Sequence, residues 1–164
     1  MTVRLATAAD VAALVRVINR AYVVEAHIFH GDRTNEAEVR ERLGRPNACF
    51  LVIDDDDPAA LPGALAGAVY VEVREKRSYF GMLSVDPDRQ GLGLGRALIT
   101  AAERRGRSAG SEFMDIDVVE QRPELPGFYA AFGYSAIAPM PTTVLPAPHG
   151  NTTTPLPPLT PPPM

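Results

Sequence analysis

The chain has 164 residues, 46% of them hydrophobic and 22% charged, with a formal net charge of −4. Such a size and balance fit one compact domain with its own core, and exclude a wholly disordered chain, a collagen or a coiled coil. The acidic balance leaves no overall basic field to draw the protein onto nucleic acid or an anionic membrane.

In chain order, Val3–Ala6 reads as a short apolar strand. Thr7-x-x-Asp10 has the form of a capping box, and Val11, Leu14, Val15, Ile18 and Tyr22 recur behind it at helical spacing. A charged helix is predicted over Glu36–Leu43, stopped by Gly44 and Pro46. Cys49–Ile53 is the next strand, ended by the acidic run Asp54–Asp57 and Pro58. Gly63–Arg74 and Arg77–Val85 follow as two strands with a polar turn between them. Leu94, Ala97, Leu98 and Ala101 mark a helix ending near Gly106 or Gly110. Phe113–Val119 is a strand, and Leu125–Phe132 a short helix closed by Gly133. The order β-α-α-β-β-β-α-β-α predicts an α/β or α+β domain with a mixed sheet.

The composition then breaks. All Asp, Glu, Lys and Arg residues lie at or before Glu124, and ten of the 16 prolines fall between Pro139 and Pro163. Proline removes ladder donors and disrupts helices. The expected division is therefore a folded domain over residues 1–138 and an uncharged, polyproline-like tail over 139–164, with an edge strand around Thr142–Leu145 as a further candidate. Cys49 is the one cysteine, which excludes an internal disulfide and a thiolate-rich zinc site. No 18-residue apolar run occurs, and Asp10 precedes any signal-peptide core, so a cytoplasmic location is expected.

The most informative segment is Val85-Asp-Pro-Asp-Arg-Gln-Gly-Leu-Gly-Leu-Gly-Arg96. A strand ends in an Asp-Pro turn, and three alternating glycines lead into a helix. Without side chains in the way, several N–H groups can converge on an anion at the positive helix end, which is a site for phosphates. The plainer alternative is a turn whose glycines serve chain geometry alone. A Walker A loop would need Gly-Lys-Ser/Thr, and no lysine stands here. A dinucleotide fingerprint would need its third glycine at Arg96 and its first directly after the strand, so nicotinamide redox chemistry is disfavoured.

Gln90-Gly91-Leu92-Gly93-Leu94-Gly95 resembles the Gln/Arg-x-x-Gly-x-Gly/Ala signature of the GCN5-related N-acetyltransferases, and Leu83-Ser84-Val85-Asp86-Pro87 is similar to that family's strand 4. Two other stretches agree: Arg4-x-Ala6-Thr7-x-x-Asp10 with Ile18-Asn19-x-Ala21-Tyr22, and Phe128-Tyr129-Ala-Ala-Phe132-Gly133-Tyr134. The resemblance covers about residues 2–136 and implies a splayed, mixed sheet flanked by helices that binds acetyl-CoA between strands 4 and 5. It implies that backbone at Leu83 and Val85 bonds the pantetheine arm, and that amides from Gln90 through Gly91, Leu92, Gly93, Leu94 and Gly95 to Arg96 hold the pyrophosphate. Two departures stand out. Glu120–Glu124 lacks the asparagine that many members use after strand 5, and the family's strand 7 is missing, weak, or replaced by tail residues.

Acetyl transfer to an alkyl amine needs a base, because deprotonating an amine of pKa near 10 at neutral pH costs about 4 kcal/mol at roughly 1.4 per unit. It also needs a donor for the carbonyl oxygen, a role suited to the amide near Val85, and an acid for the departing thiolate. The resemblance assigns that acid role to Tyr129; its plainer reading is a packing aromatic. Glu72 is the candidate base, with Glu25, His27 and His30 near the acceptor wall of the family, though residues of these types are more often simply solvated. Asp115 and Asp117 share one strand face and suit either an acceptor or a neighbouring strand's polar edge. Cys49 reads as a buried small hydrophobe and Asp54–Asp57 as a solvated loop. No metal site is expected, since His27-x-x-His30 lacks a third ligand with a matching motif.

The function expected is acetyl-CoA-dependent N-acetylation of a small-molecule amine by a monomer or homodimer. The rivals are a non-catalytic acyl-CoA-binding module with a partner-binding tail, and an acyltransferase for protein amines.

Overall fold

The computed structural model describes residues 2–23, 32–119, 124–139 and 149–155. They divide into two compact units, Met1–Glu72 with Phe80–Ala102 and Val73–Tyr79 with Glu103–Met164.

In the first unit, β1 (Val3–Leu5) pairs antiparallel with β2 (Ala48–Asp54), and β2 pairs antiparallel with β3 (Leu65–Glu72). The capping box at Thr7 forms: the Thr7 hydroxyl accepts from Ala9 N and the Asp10 carboxylate accepts from Thr7 N at 2.8 Å. Arg4 forks onto Asp10 and, on its other side, onto Asp54, so the start of α1 (Val11–Ala21) is tied to the end of β2. The α1 face that packs inward is Val11, Leu14, Val17 and Ile18, while Val15 and Tyr22 are half-buried. Near the end of α1, the Asn19 side chain exchanges hydrogen bonds with the backbone of Thr34, and Asn35 caps α2 (Glu36–Leu43) by accepting from Glu38 N. β3 is buried from Leu65 to Val71, as a strand covered on both faces must be. Gly67 leaves room there: a Cβ would stand 3.0 Å from both Leu98 Cδ1 and the Ser84 carbonyl.

β4 (Arg77–Val85) alternates buried and half-buried along most of its length, and α3 (Leu94–Ser108) buries Leu94, Leu98, Ile99 and Ala102. Both elements contribute residues to the two units. The helix runs through Gly106, where a Cβ would meet Met114 Cε at 2.9 Å.

In the second unit, the start of β4 pairs parallel with β5 (Phe113–Val119) over Arg77↔Phe113, Ser78↔Met114 and Tyr79↔Asp115, a short ladder for strands of nine and seven residues. Ser78 and Ser111 hydroxyls meet at 2.6 Å, and Ser111 donates to the Arg74 carbonyl. α4 (Glu124–Ala130) precedes β6 (Ser135–Pro139).

Two expectations need correction. His149–Pro155 is not extended tail but a strand, β7, paired antiparallel with β5 from Phe113↔Pro155 to Val119↔His149 and also with β6. The sheet therefore continues beyond residue 138, and of the three alternatives for strand 7, replacement by tail residues is what occurs. Among the described residues, Pro139 ends β6 and Pro155 ends β7, leaving Gly150–Thr154 with full backbone donors and three β-branched threonines. Thr142–Leu145 lies outside the described residues. Cys49 is half-buried, because its position near the start of β2 falls before the buried run Phe50–Ile53. Among the described residues no helix is long and apolar enough to cross a membrane.

Candidate functional site

The β4–α3 connection is built in steps that its sequence dictates. Met82 takes φ 52, a conformation uncommon for a residue with a side chain, and the buried Ser84 hydroxyl donates to the Met82 carbonyl at 2.8 Å. Beyond this kink lie the half-buried Leu83 and Val85. Asp86 then donates its N–H to the Ala66 carbonyl and caps a single turn, Pro87–Arg89, by accepting from Asp88 N at 2.9 Å. Proline at the first position suits such a turn, since its missing N–H has no acceptor there. Burial pushes the Asp86 carboxyl up, but the Arg20 guanidinium, the Asp88 N–H and the nearby Arg89 charge outweigh it and hold the group below the usual aspartate range.

Gln90 is extended, and Gly91 and Gly93 adopt φ 80 and 79, the left-handed region that glycine occupies without penalty. A Cβ built on either would meet nothing within 4 Å. The turn therefore faces open space with no side chain in front of its backbone, and the first turn of a helix leaves amide donors without intrahelical acceptors. Gln90, Gly91, Leu92, Gly93 and Arg96 are exposed, while Leu94 packs inward. These residues fit a phosphate-bearing ligand. The third glycine differs: Gly95 lies inside α3 with no positive φ, and its Cβ would stand 3.9 Å from Val85 Cγ2, an ordinary contact.

The candidate catalytic residues fall in different units. Glu72 ends β3 in the first, half-buried, with Arg45 Nη1 3.7 Å from its Oε2. Its neighbour Tyr70 is fully buried; Arg45 donates to the Tyr70 hydroxyl at 3.3 Å and the Arg42 guanidinium lies over the ring. Tyr129 lies on α4 in the second, 9% exposed, with edge contacts to Phe128 at 5.0 Å and to Tyr134 at 6.1 Å. Tyr134 donates its hydroxyl to Glu103 Oε1 at 2.9 Å, and burial pushes both groups up. Asp115 is forked by Arg77 of the neighbouring strand at 3.1 and 2.9 Å, which supports the polar-edge reading. Glu25, His27 and His30 lie outside the described residues. No group of three metal-ligating side chains occurs among those described. Asp54–Asp57 is more than a solvated run, for Asp54 binds Arg4, and Asp55 and Asp57 bind Arg89.

Two features escaped the sequence reading. The Met82 kink had one local signal, a glycine beside it in the middle of a strand. The partners of Asp86 had none, because Arg20 lies 66 residues away.

The model of the acetyltransferase (GNAT) family matches residues 13–134, most of the chain and the whole glycine turn. The chain belongs to the GNAT family. It is accordingly an acyltransferase of the N-acetyltransferase type, with acetyl-CoA as acyl donor. It is 29% identical over 155 residues to an L-methionine sulfoximine/L-methionine sulfone acetyltransferase of Salmonella typhimurium, covering 86% of this chain and 84% of that protein. It is 27% identical over 150 residues to the L-amino acid N-acyltransferase MnaT of Escherichia coli, covering 86% and 83%. The fold is similar to that of a GNAT phosphinothricin acetyltransferase from Sinorhizobium meliloti solved with acetyl-CoA, with a TM-score of 0.72 at 19% identity over 94% of this chain and 88% of that one.

Proposed function

We propose that this GNAT enzyme acetylates the primary amine of a small amino-acid-like molecule. The observation that carries the acceptor class is the pair of curated relatives, both named for amino-acid acylation and both matched over more than four fifths of their length.

Bound acetyl-CoA supplies an activated acyl carbon and a thiolate leaving group. The chain's part begins at the turn, where amides from Gln90 to Arg96 donate to the pyrophosphate and the α3 dipole favours its charge. Gly91 and Gly93 support this assignment, since both hold the backbone conformation it needs and neither places an atom in front of it. Backbone at Leu83 and Val85 bonds the pantetheine arm. The Val85 amide donates to the carbonyl oxygen as it gains charge. Glu72 takes the proton of the attacking amine, and the Tyr129 hydroxyl gives its own to the departing sulfur. The aromatic packing of Tyr129 against Phe128 and Tyr134 supports a fixed ring orientation for that transfer.

The test is release of free CoA thiol from acetyl-CoA with a panel of amines: L-methionine sulfone, L-methionine sulfoximine, the common L-amino acids, polyamines and an alanine-terminated peptide. Turnover with one or more amino acids or their analogues is expected. Turnover confined to the peptide or the polyamines overturns the acceptor class.

A further inference from the structure

A set of ion pairs stands immediately before the glycine turn, all of it within the first unit. From α1, Arg20 Nε donates to Asp86 Oδ2 at 3.0 Å, and its Nη2 donates to Asp86 Oδ1 at 3.2 Å and to Asp88 Oδ2 at 3.0 Å. From the turn itself, Arg89 reaches outward: Nε donates to Asp55 Oδ1 at 3.1 Å, and Nη2 lies 3.0 Å from Asp57 Oδ2. The turn Asp86–Arg89 is thus gripped by one guanidinium that reaches in and anchored by another that reaches out.

Stability is not all that these pairs provide. Arg20, Asp86, Asp88, Asp55 and Arg89 line a cavity of about 270 Å³; the Arg20 side chain is 37% exposed, that of Asp86 14% and that of Asp88 75%. The Arg20–Asp88 arm is water-exposed and adds little to folding, whereas the Arg20–Asp86 arm is largely shielded from solvent. Their geometry is nevertheless specific, because a planar fork on a carboxylate fixes direction as well as distance. The carboxylate it holds is also the cap of the turn, since Asp86 Oδ1 accepts both the Arg20 hydrogen bond and the Asp88 N–H. Five residues after Asp86 comes Gly91, and two residues on Gly93. Two glycines in close succession leave the backbone with many alternatives, so a converged set of amides requires that the entry to the turn be held.

We propose that Arg20 is a positioning residue for the acyl-donor site: through Asp86 it holds the entry of the glycine turn so that the turn's amides are arranged before the pyrophosphate arrives. The inference rests on the reading that Gln90–Arg96 bind that pyrophosphate. Preorganisation of this kind raises affinity without adding a contact to the ligand.

The experiment is calorimetric titration of acetyl-CoA into the full chain carrying Arg20→Gln, Asp86→Asn, both together, or Arg20→Lys, with melting temperatures measured in parallel. Asparagine at position 86 keeps Oδ1 as the acceptor for Asp88 N, while its amide nitrogen replaces Oδ2 and removes both the acceptor of Arg20 Nε and the negative charge. Each single variant should bind about fivefold to twentyfold more weakly with its melting temperature within about 2 °C of the parent. The double variant should be no weaker than the weaker single, and Arg20→Lys should recover part of the loss. Unchanged affinity overturns the proposal. So does a loss that tracks a large fall in melting temperature, or losses that simply add in the double variant. Should Arg20→Gln fail to fold, Asp86→Asn and Arg20→Lys are judged by the same criteria. Gly93→Val separates the two levels: normal binding there removes the pyrophosphate assignment, whereas lost binding there with normal binding in Arg20→Gln removes the role of Arg20 alone.

Discussion

The glycine turn in the first unit and the aromatic helix α4 in the second carry their proposed roles in opposite ways. The turn offers backbone: Gly91 and Gly93 bring no side chain, and their contribution is a positive φ with open space in front. Helix α4 offers a side chain, the Tyr129 hydroxyl, on a ring held by Phe128 and Tyr134. A backbone site constrains which residues can be present at all, because most residue types cannot adopt the needed angles. A side-chain site constrains one atom, and a close isostere preserves everything else. Substitutions should therefore be severe and nearly all-or-none in the turn, and graded on the helix.

The largest effect should come from neither point but from what supports the second unit. β7 lies between β5 and β6, and seven register pairs join it to β5. Deleting residues 147–164 leaves both neighbours with unpaired edges. The melting temperature should fall by at least about 10 °C, since each kcal/mol lost shifts a domain of this size by several degrees. A scanning-calorimetry trace unchanged by the deletion would mean that residues up to 146 fold alone and that the strand contributes nothing to the helix it accompanies.

The second test bears on the turn. Gly93→Val places a β-branched side chain at φ 79, and acetyl-CoA affinity should fall by about a hundredfold or more. Gly95→Ala is the internal contrast. Position 95 is already helical, and an alanine Cβ there makes only an ordinary contact with Val85, so binding should change less than fivefold. Equal losses in the two variants, read by calorimetry, would show that bulk near the ligand decides the outcome and backbone angle does not.

The same contrast explains which parts were legible in the sequence. Period, caps and breakers are local, so β4 (Arg77–Val85), β5 (Phe113–Val119) and α2 (Glu36–Leu43) match their predicted bounds, and the Thr7 capping box forms as spelled. The glycine turn was readable for a related reason, since a backbone demand is met by few residue types and so leaves a visible pattern. β7 was hidden because proline density over a long window masked a short run of threonines. The grip of Arg20 on Asp86 was hidden because long-range pairing has no local signature, and alternation alone does not say that Gly91 and Gly93 sit before the helix with positive φ while Gly95 sits inside it.

The smallest of the expected effects is also the one that decides the chemistry of α4. Tyr129→Phe removes one oxygen and keeps the ring, so the edge contacts with Phe128 and Tyr134 persist and the melting temperature should barely move. If the hydroxyl protonates the departing sulfur, turnover falls by roughly tenfold to a thousandfold, the range of general-acid contributions. A thiolate is already a fair leaving group, which places the expected value near tenfold. Affinity for acetyl-CoA should be unchanged, because the phosphate contacts assigned to the turn belong to the other unit. The informative quantity is thus the ratio of the two losses: kcat reduced at constant Kd marks an acid, and kcat retained marks a packing aromatic. A fall in both together would show that the ring orients bound donor, and the division of labour between backbone turn and side-chain helix would have to be redrawn.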